Sequence, residues 1–256
     1  MATSMPAVAQ PVQLSDGPLE LTRTDFNPTP ADIDTARRIL QTLLPPELTL
    51  EVLSFASYYP RLRSTRHSRA TYEANSFPIE ITIAGLYLTT ASLPDLNLRA
   101  KRITFQMRSA DQGWATFGGN ETYHNSHTWF EASILRPNPG VSRPTPPTNI
   151  NMESFSSPEG SREYLWDHGW ELVENNGTVV WRVHNNITAR REFTDYRVDW
   201  VAGVPTEIDD PRATGDGAGF LELLQPRDAV ALWARAELGC WVNEVQAATI
   251  EIEYDV

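Results

Sequence analysis

The chain has 256 residues, 41% hydrophobic and 10% aromatic, with a single cysteine and a formal net charge of −12. That length and apolar content are enough for one large domain with a sizeable core and exclude a disordered chain. The acidic balance excludes a nucleic-acid surface, which needs a concentrated basic footprint, and the lone Cys240 excludes an internal disulfide.

A chain without disulfides fits a reducing compartment. Its start, MATSMPAVAQPVQLSDG, has neither the basic region nor the apolar run of a signal peptide, and no apolar stretch is long enough to span a bilayer. The expectation is a soluble, cytoplasmic protein with no membrane partner. On that expectation the three sequons, at Asn120, Asn176 and Asn186, read as chance.

Residues 1 to about 30 are rich in Pro and Ser and predict a mobile tail. Residues 31–62 predict a helical appendage. Thr29 can cap a helix with Pro30 at its first position, and Ile33, Ala36, Ile39, Leu40 and Leu43 recur at helical spacing. Pro45 and Pro46 stop that helix and open a second, which Pro60 ends. Its stripe of Leu48, Val52, Leu53, Phe55 and Ala56 is expected to pack onto the rest of the domain. The Arg-rich run RLRSTRHSRA (61–70) predicts a solvated connector.

From Phe77 the period changes to two. FPIEITIAGLYLTTASL, RITFQMRSA, HTWFEASIL, GWELVE, TVVWRVH, FTDYRVDWV, AVALWARAEL and ATIEIEYDV alternate, separated by Gly, Asn, Asp and Pro. Many short strands without intervening helices predict an all-β fold over residues 77–256, an antiparallel jelly-roll-like β-sandwich with a short N-terminal helical appendage. Residues 136–161 are too rich in Pro and Ser for any element and predict a surface excursion, either a linker or a lid over one end. ITFQMRSADQGW (103–114) and VALWARAELGCW (230–241) echo each other, with Arg108 and Arg235 at the sixth position and Trp at the last. Duplication and convergent strand patterning both explain the echo. Either way the two units could sit as neighbours in the two sheets.

LPPELTLEVLSFASYYPRL (44–62) resembles the opening of an F-box. The match stops after the first helix, because RSTRHSRATYEANS is polar where an F-box is apolar, so a ubiquitin-ligase adaptor is not expected as a partner. The succession of RITFQMRSADQGW, TYHNSHTWFEASIL, VVWRVHNN and DAVALWARAELGCWVNEVQAATIEIEY is similar to a family of largely uncharacterised fungal proteins, over roughly residues 44–254. The strand order also resembles galactose-binding-like jelly rolls, which implies a sandwich fold and a sugar-type ligand.

The candidate chemistry sits in RSADQGWATFGGNETYHNSHTWFEASIL. Gly113 allows a tight turn that throws Trp114 to the end of the sandwich, and the chain returns through Tyr123, His124, His127 and Trp129. Aromatic planes stack on the apolar face of a sugar or fused ring, while Asp, Asn and His read hydroxyls. The alternative is that Trp114 and Trp129 plug the core end, with Asp111 as a turn residue. A second cluster, EYLWDHGWEL, offers Trp166, His168 and Trp170, and is expected to fold back over the same end. In WRVH, Arg182 and His184 share one strand face.

His124 and His127, with a distant His or Asp, would match a zinc or iron site, but the cupin pattern of closer histidines plus Glu is missing, and neither a metal nor a cofactor is expected. Cys240, on a strand-end turn, is expected to be buried. No nucleophile elbow, phosphate loop or dinucleotide fingerprint is present. Two readings result. One is a module binding a glycan or hydroxylated small molecule through Trp114, Tyr123, Trp129 and Trp170. The other is a cofactor-independent cyclase or isomerase of fungal secondary metabolism, with Asp111, His124, His127 or His168 moving protons.

Overall fold

The helical spacing near the N-terminus produces two helices, α1 (Pro30–Gln41) and α2 (Pro46–Phe55). Thr29 caps α1 in a capping box: its hydroxyl accepts the Asp32 N–H at 3.2 Å while the Asp32 carboxylate accepts the Thr29 N–H at 2.8 Å. Ile33 of α1 and Thr49 and Leu53 of α2 are the buried residues of this hairpin. The expected packing of Leu48, Val52 and Phe55 onto the domain is overturned, because all three face solvent and Phe55 is 91% exposed. Thr49 and Leu53, four residues apart, are the buried face, and one residue of rotation, about 100°, turns Leu48 and Val52 outward.

The computed structural model describes residues 26–74 and 82–255, so the expected tail up to residue 25 and the expected strand start at 77–81 lie outside the described residues. The strands are β1 (Arg61–Arg66), β2 (Ala70–Glu73), β3 (Thr82–Thr89), β4 (Arg99–Ala110), β5 (Thr128–Pro137) and β6 (Ser154–Phe155). They continue with β7 (Trp170–Leu172), β8 (Trp181–Asn185), β9 (Thr194–Val201), β10 (Ala229–Glu237) and β11 (Val242–Asp255). All pair antiparallel in two sheets. The first runs β1-β11-β4-β9, with β2 also on β11, and the second runs β6-β3-β10-β5-β7, with β8 also on β5. The fold is an all-β antiparallel sandwich with a small helical N-terminal part.

Arg61–Ala70 is not a connector. It forms β1 and opens β2, so the sandwich starts at residue 61. Arg61 and Arg63 stand across from Glu253 and Glu251 of β11, and Arg63 reaches Glu251 at 3.1 Å. Opposite charges directly across a ladder favour pairing, which is why a basic stretch takes its place beside IEIEYD.

Period two then divides each strand. Ile103, Phe105 and Met107 of β4 and Tyr196, Val198 and Trp200 of β9 turn inward from the first sheet. Phe130, Ala132 and Ile134 of β5 and Val230, Leu232 and Ala234 of β10 meet them from the second. Phe105, Trp200 and Phe220 form an aromatic knot at centroid distances of 5.0, 5.1 and 6.4 Å.

The Pro/Ser-rich excursion is neither a linker nor a lid over one end. It crosses the outer face of the second sheet as a strap. Ile150, Leu165 and Trp170, with Met152, Phe155 and Tyr164 partly buried, pack on Leu86, Leu135 and Trp233. Backbone bonds such as Leu86 N–H to the Glu153 carbonyl (2.9 Å) fasten it. A sheet covered on both faces needs apolar residues on both, and that is what Ala84, Leu86, Ala231 and Trp233 supply.

The two echoing stretches occupy related positions. β4 in the first sheet leads to β5 in the second, β10 in the second leads to β11 in the first, and the units pair as β4 with β11 and β5 with β10. The residue before each terminal Trp has positive φ, 91° at Gly113 and 71° at Cys240. Trp114 and Trp241 then meet at 6.3 Å between ring centroids. Cys240 is exposed rather than buried, because the left-handed turn carries it outward.

At this end a buried amide network joins the sheets. Asn186 accepts from the Ser109 hydroxyl at 2.7 Å and donates to Thr128 Oγ1 and Asn243 Oδ1, both at 3.0 Å. Asn243 donates to the carbonyls of Trp129 and Arg235. Asn186→Ala strands three buried partners and should lower unfolding free energy by about 2–4 kcal/mol in a denaturant titration. Leu48→Asp, on the exposed helix stripe, should stay within about 0.5 kcal/mol in the same measurement.

Candidate functional site

The loop after β4 is held by backbone and side-chain clamps. The buried Asp111 carboxylate accepts the N–H groups of Gln112 (2.6 Å) and Ala189 (2.8 Å), and the Asp111 N–H donates to the Arg190 carbonyl. Further along, Thr188 Oγ1 donates to the His124 carbonyl at 2.9 Å, and the Arg190 guanidinium pairs with Glu121. Asp111 is therefore the turn residue that ties this loop to the β8–β9 connection. Both its oxygens are engaged by main chain, and among the described residues no histidine hydrogen-bonds to it.

What the loop delivers is a strip along the outer face of the second sheet, at the end of β5 where that strand begins. Trp129 and Glu131 point outward from β5, with Arg235 and Glu237 from β10 beside them and Arg182 from β8 opposite Glu131. Trp129 lies between two guanidinium groups, with Arg182 at 4.3 Å and Arg235 at 5.2 Å from its ring. Glu131 binds the group together, accepting from Trp129 Nε1 and from Arg235 Nη1, both at 2.7 Å, with Arg182 Nη2 at 3.8 Å. His127 Nδ1 lies 2.9 Å from Glu237 Oε1, and the imidazole meets Trp241 edge-on at 4.7 Å. Trp241 in turn touches Trp114, whose indole is 47% exposed.

The strip thus combines an exposed aromatic plane, a half-exposed guanidinium already stacked in place and a half-exposed carboxylate. Its base of Trp129, Glu131 and Arg235 is nearly dry. Such a set offers flat apolar contact plus donors and acceptors at fixed positions. It suits recognition of a ring that carries hydroxyl groups.

Of the residues expected at a site, Trp114, His127, Trp129 and Arg182 come together here, with Trp129 buried in the base. The others do not. His124 is exposed on the loop, and Tyr123 turns inward against His184 (5.4 Å). His184 is itself buried against Tyr196 at 4.5 Å, and its Nδ1–H donates to the Asn185 carbonyl at 2.6 Å. It does not share a face with Arg182, because a bulge in the β5–β8 pairing between Phe130 and Glu131 breaks the alternation.

YLWDHGW does not fold back over this end. Trp170 pairs with Pro137 at the far end of β5, eight residues from Trp129, or roughly 27 Å at the rise of a strand. There Trp170 is buried and its Nε1 donates to the Thr145 carbonyl at 2.7 Å. His168 rests on Tyr164 at 4.5 Å, and Trp166 is exposed. Among the described residues no three of His, Cys, Asp and Glu gather as metal ligands. A separate cleft of about 280 Å³ lies between the helical hairpin and the sandwich, lined by Ile33, Leu53, Tyr58, Tyr59, Lys101 and Asp255. Reading from sequence missed Glu131, Arg235, Glu237 and Trp241. Strand alternation carried the first three, since every second residue after His127 and before Glu237 shares one face.

No family model matches the chain, and neither does any curated protein. Among the described residues no helix is long and apolar enough to cross a membrane.

Two buried groups beside the loop titrate in opposing senses. Burial lowers His184 to about 4, against the pull of its bond to the Asn185 carbonyl, and burial raises Asp111 to about 7, against the N–H groups of Ala189 and Gln112. The stability that neutral His184 contributes is present above about 6.5 and is lost as pH falls toward 4. The contribution of protonated Asp111 is present below about 3.8 and is lost as pH rises through 7. Between pH 4 and 6.5 the two slopes oppose. Asp111→Asn should therefore steepen the fall in Tm on acidification across that window, read by thermal melts at stepped pH. An unchanged slope would show that Asp111 does not titrate there.

Proposed function

We propose that this protein is a ligand-binding sandwich that recognises a glycan or other hydroxylated small molecule on the outer face of its second sheet. The observation that carries the reading is the strip in which exposed Trp114 continues through Trp241 and the His127–Glu237 pair to Trp129 stacked with Arg182 and Arg235. Trp114 would be the platform for the apolar face of a ring. Arg182 and Glu237 would read hydroxyls as donor and acceptor, and the buried Glu131–Arg235 pair would hold Arg182 and Trp129 in position. A strand order that resembles galactose-binding-like jelly rolls would imply the same ligand class.

Catalysis by a cofactor-independent cyclase or isomerase needs proton-transfer groups facing one cavity. Of its four candidates, Asp111 is wrapped in backbone amides, His124 is exposed on the loop and His168 sits at the far end of β5, which leaves His127, paired with Glu237, in the strip. That distribution favours binding over turnover.

Screening the full chain against immobilised glycans, followed by calorimetric titration of the best ligand, tests the reading. Trp114→Ala and Arg182→Ala should each weaken affinity by about tenfold, the worth of a stacking contact or a charge-assisted hydrogen bond. Trp114→Ala should leave Tm nearly unchanged, since the indole is half exposed. If both variants bind as the natural chain does, the strip is a structural ladder and the site is elsewhere.

A further inference from the structure

We propose that the α1–α2 hairpin is a self-association surface, on which a second copy of this chain docks through the same two helices. Six of the twelve large apolar side chains exposed among the described residues, Ile39, Leu43, Leu48, Leu50, Val52 and Phe55, fall within this hairpin. Leu43 is 81% and Phe55 91% exposed, far beyond what scattered surface residues require. On α2, Leu48, Val52 and Phe55 are spaced i, i+4, i+7 and so form one continuous stripe, while Thr49 and Leu53 hold the other face against the protein.

The stripe and the charges favour a second copy. Leu50, about 200° round α2 from Leu48, turns to the cleft against the sandwich and takes no part. Leu48, Val52 and Phe55 alone present on the order of 400 Å², within the roughly 300–600 Å² of the largest and often functional patch of a monomer. Charge of both signs flanks the stripe. Glu47 and Glu51 on α2 are exposed and make no ion pair among the described residues. On α1, Arg38, next to Ile39, donates to the Asp34 carbonyl at 3.3 Å and Thr35 Oγ1 at 3.5 Å, and meets no carboxylate side chain among the described residues. A dyad that sets α1 of one copy against α2 of the other brings Arg38 to Glu47 and Glu51 on both sides of the axis. A surface with unmatched cations and anions beside one apolar stripe is complementary to itself, whereas a uniformly basic or acidic partner would answer half of it.

Sedimentation velocity of the full chain over a concentration series provides the test. A dimer that dissociates on dilution is expected, and Val52→Asp combined with Phe55→Glu should raise its Kd at least about tenfold. Thermal melts control for folding, since both positions are exposed and Tm should stay where it is. Arg38→Glu should also weaken the dimer, and adding Glu47→Arg and Glu51→Arg to the same chain should restore it, a rescue that only self-pairing of these helices produces. A monomer at every concentration overturns the proposal, as does a dimer indifferent to the stripe variant or a charge exchange without rescue. Tight binding of a basic amphipathic helical peptide to the stripe of a chain that stays monomeric would assign the surface to a different partner.

Discussion

Asn186 and Asn243 are the amide pair on which the Trp114 end of this sandwich depends. Two sheets packed face to face are held by apolar contact, which sets their distance but tolerates sliding along the strands. Directional bonds do not. Asn186, following β8, and Asn243, in β11, bring Ser109 of the first sheet and Thr128 and the Trp129 and Arg235 carbonyls of the second into one fully satisfied cluster. In a dry interior each of these groups would be costly alone, so the cluster admits one register of β4, β5, β10 and β11 and penalises every other. Trp129 and Arg235, whose side chains form the base of the strip, have their backbones fixed by that same cluster.

The Arg182–Trp129–Arg235 stack illustrates arrangement rather than strength. Glu131 is nearly buried, so removing it and Arg235 from water costs much of what their attraction returns. The gain is orientational. With one carboxylate oxygen taken by the indole N–H and the other by Arg235, Glu131 fixes the plane of Trp129, and Arg182 can then lie on it in one pose. A guanidinium held in place loses less entropy on meeting a ligand than one that must be ordered first.

Period two made the sandwich legible, because a strand half buried in a packed core must alternate, and Thr29 with Asp32 made the first helix boundary legible through its cap. The echo between residues 103–114 and 230–241 proved spatial, since paired strands and touching tryptophans follow from it. Other features have no local signature. The strap over the second sheet hides its few apolar anchors, Ile150, Met152 and Phe155, among prolines and serines, and composition alone reads such a segment as loose. The burial of α2 turned on which of two adjacent apolar stripes meets the protein, a question of about 100° that spacing cannot answer. Assigning YLWDHGW and the Trp114 loop to one end failed for a similar reason. Likeness in composition says nothing about which end of β5 each segment reaches. The bulge that separates Arg182 from His184 is likewise set by pairing partners and leaves no trace in WRVH.

The strap gives the molecule a third layer that the sandwich does not need in order to close. β3, β10 and β5 are already paired edge to edge beneath it, and its attachments are a few backbone bonds and the apolar contacts of Ile150, Leu165 and Trp170. Such a layer would have its own opening equilibrium, shallower than global unfolding, in which residues 138–160, β6 included, peel away while β3, β10, β5 and the first sheet persist. The opened form would expose Trp233 and Leu86, an apolar area bordered on the same face by the Glu131–Arg235 pair, and such an area is prone to pair with another unfolded or opened chain. On that physics, the durability of the chain at high concentration would depend on how often a proline-rich ribbon lets go as well as on its core.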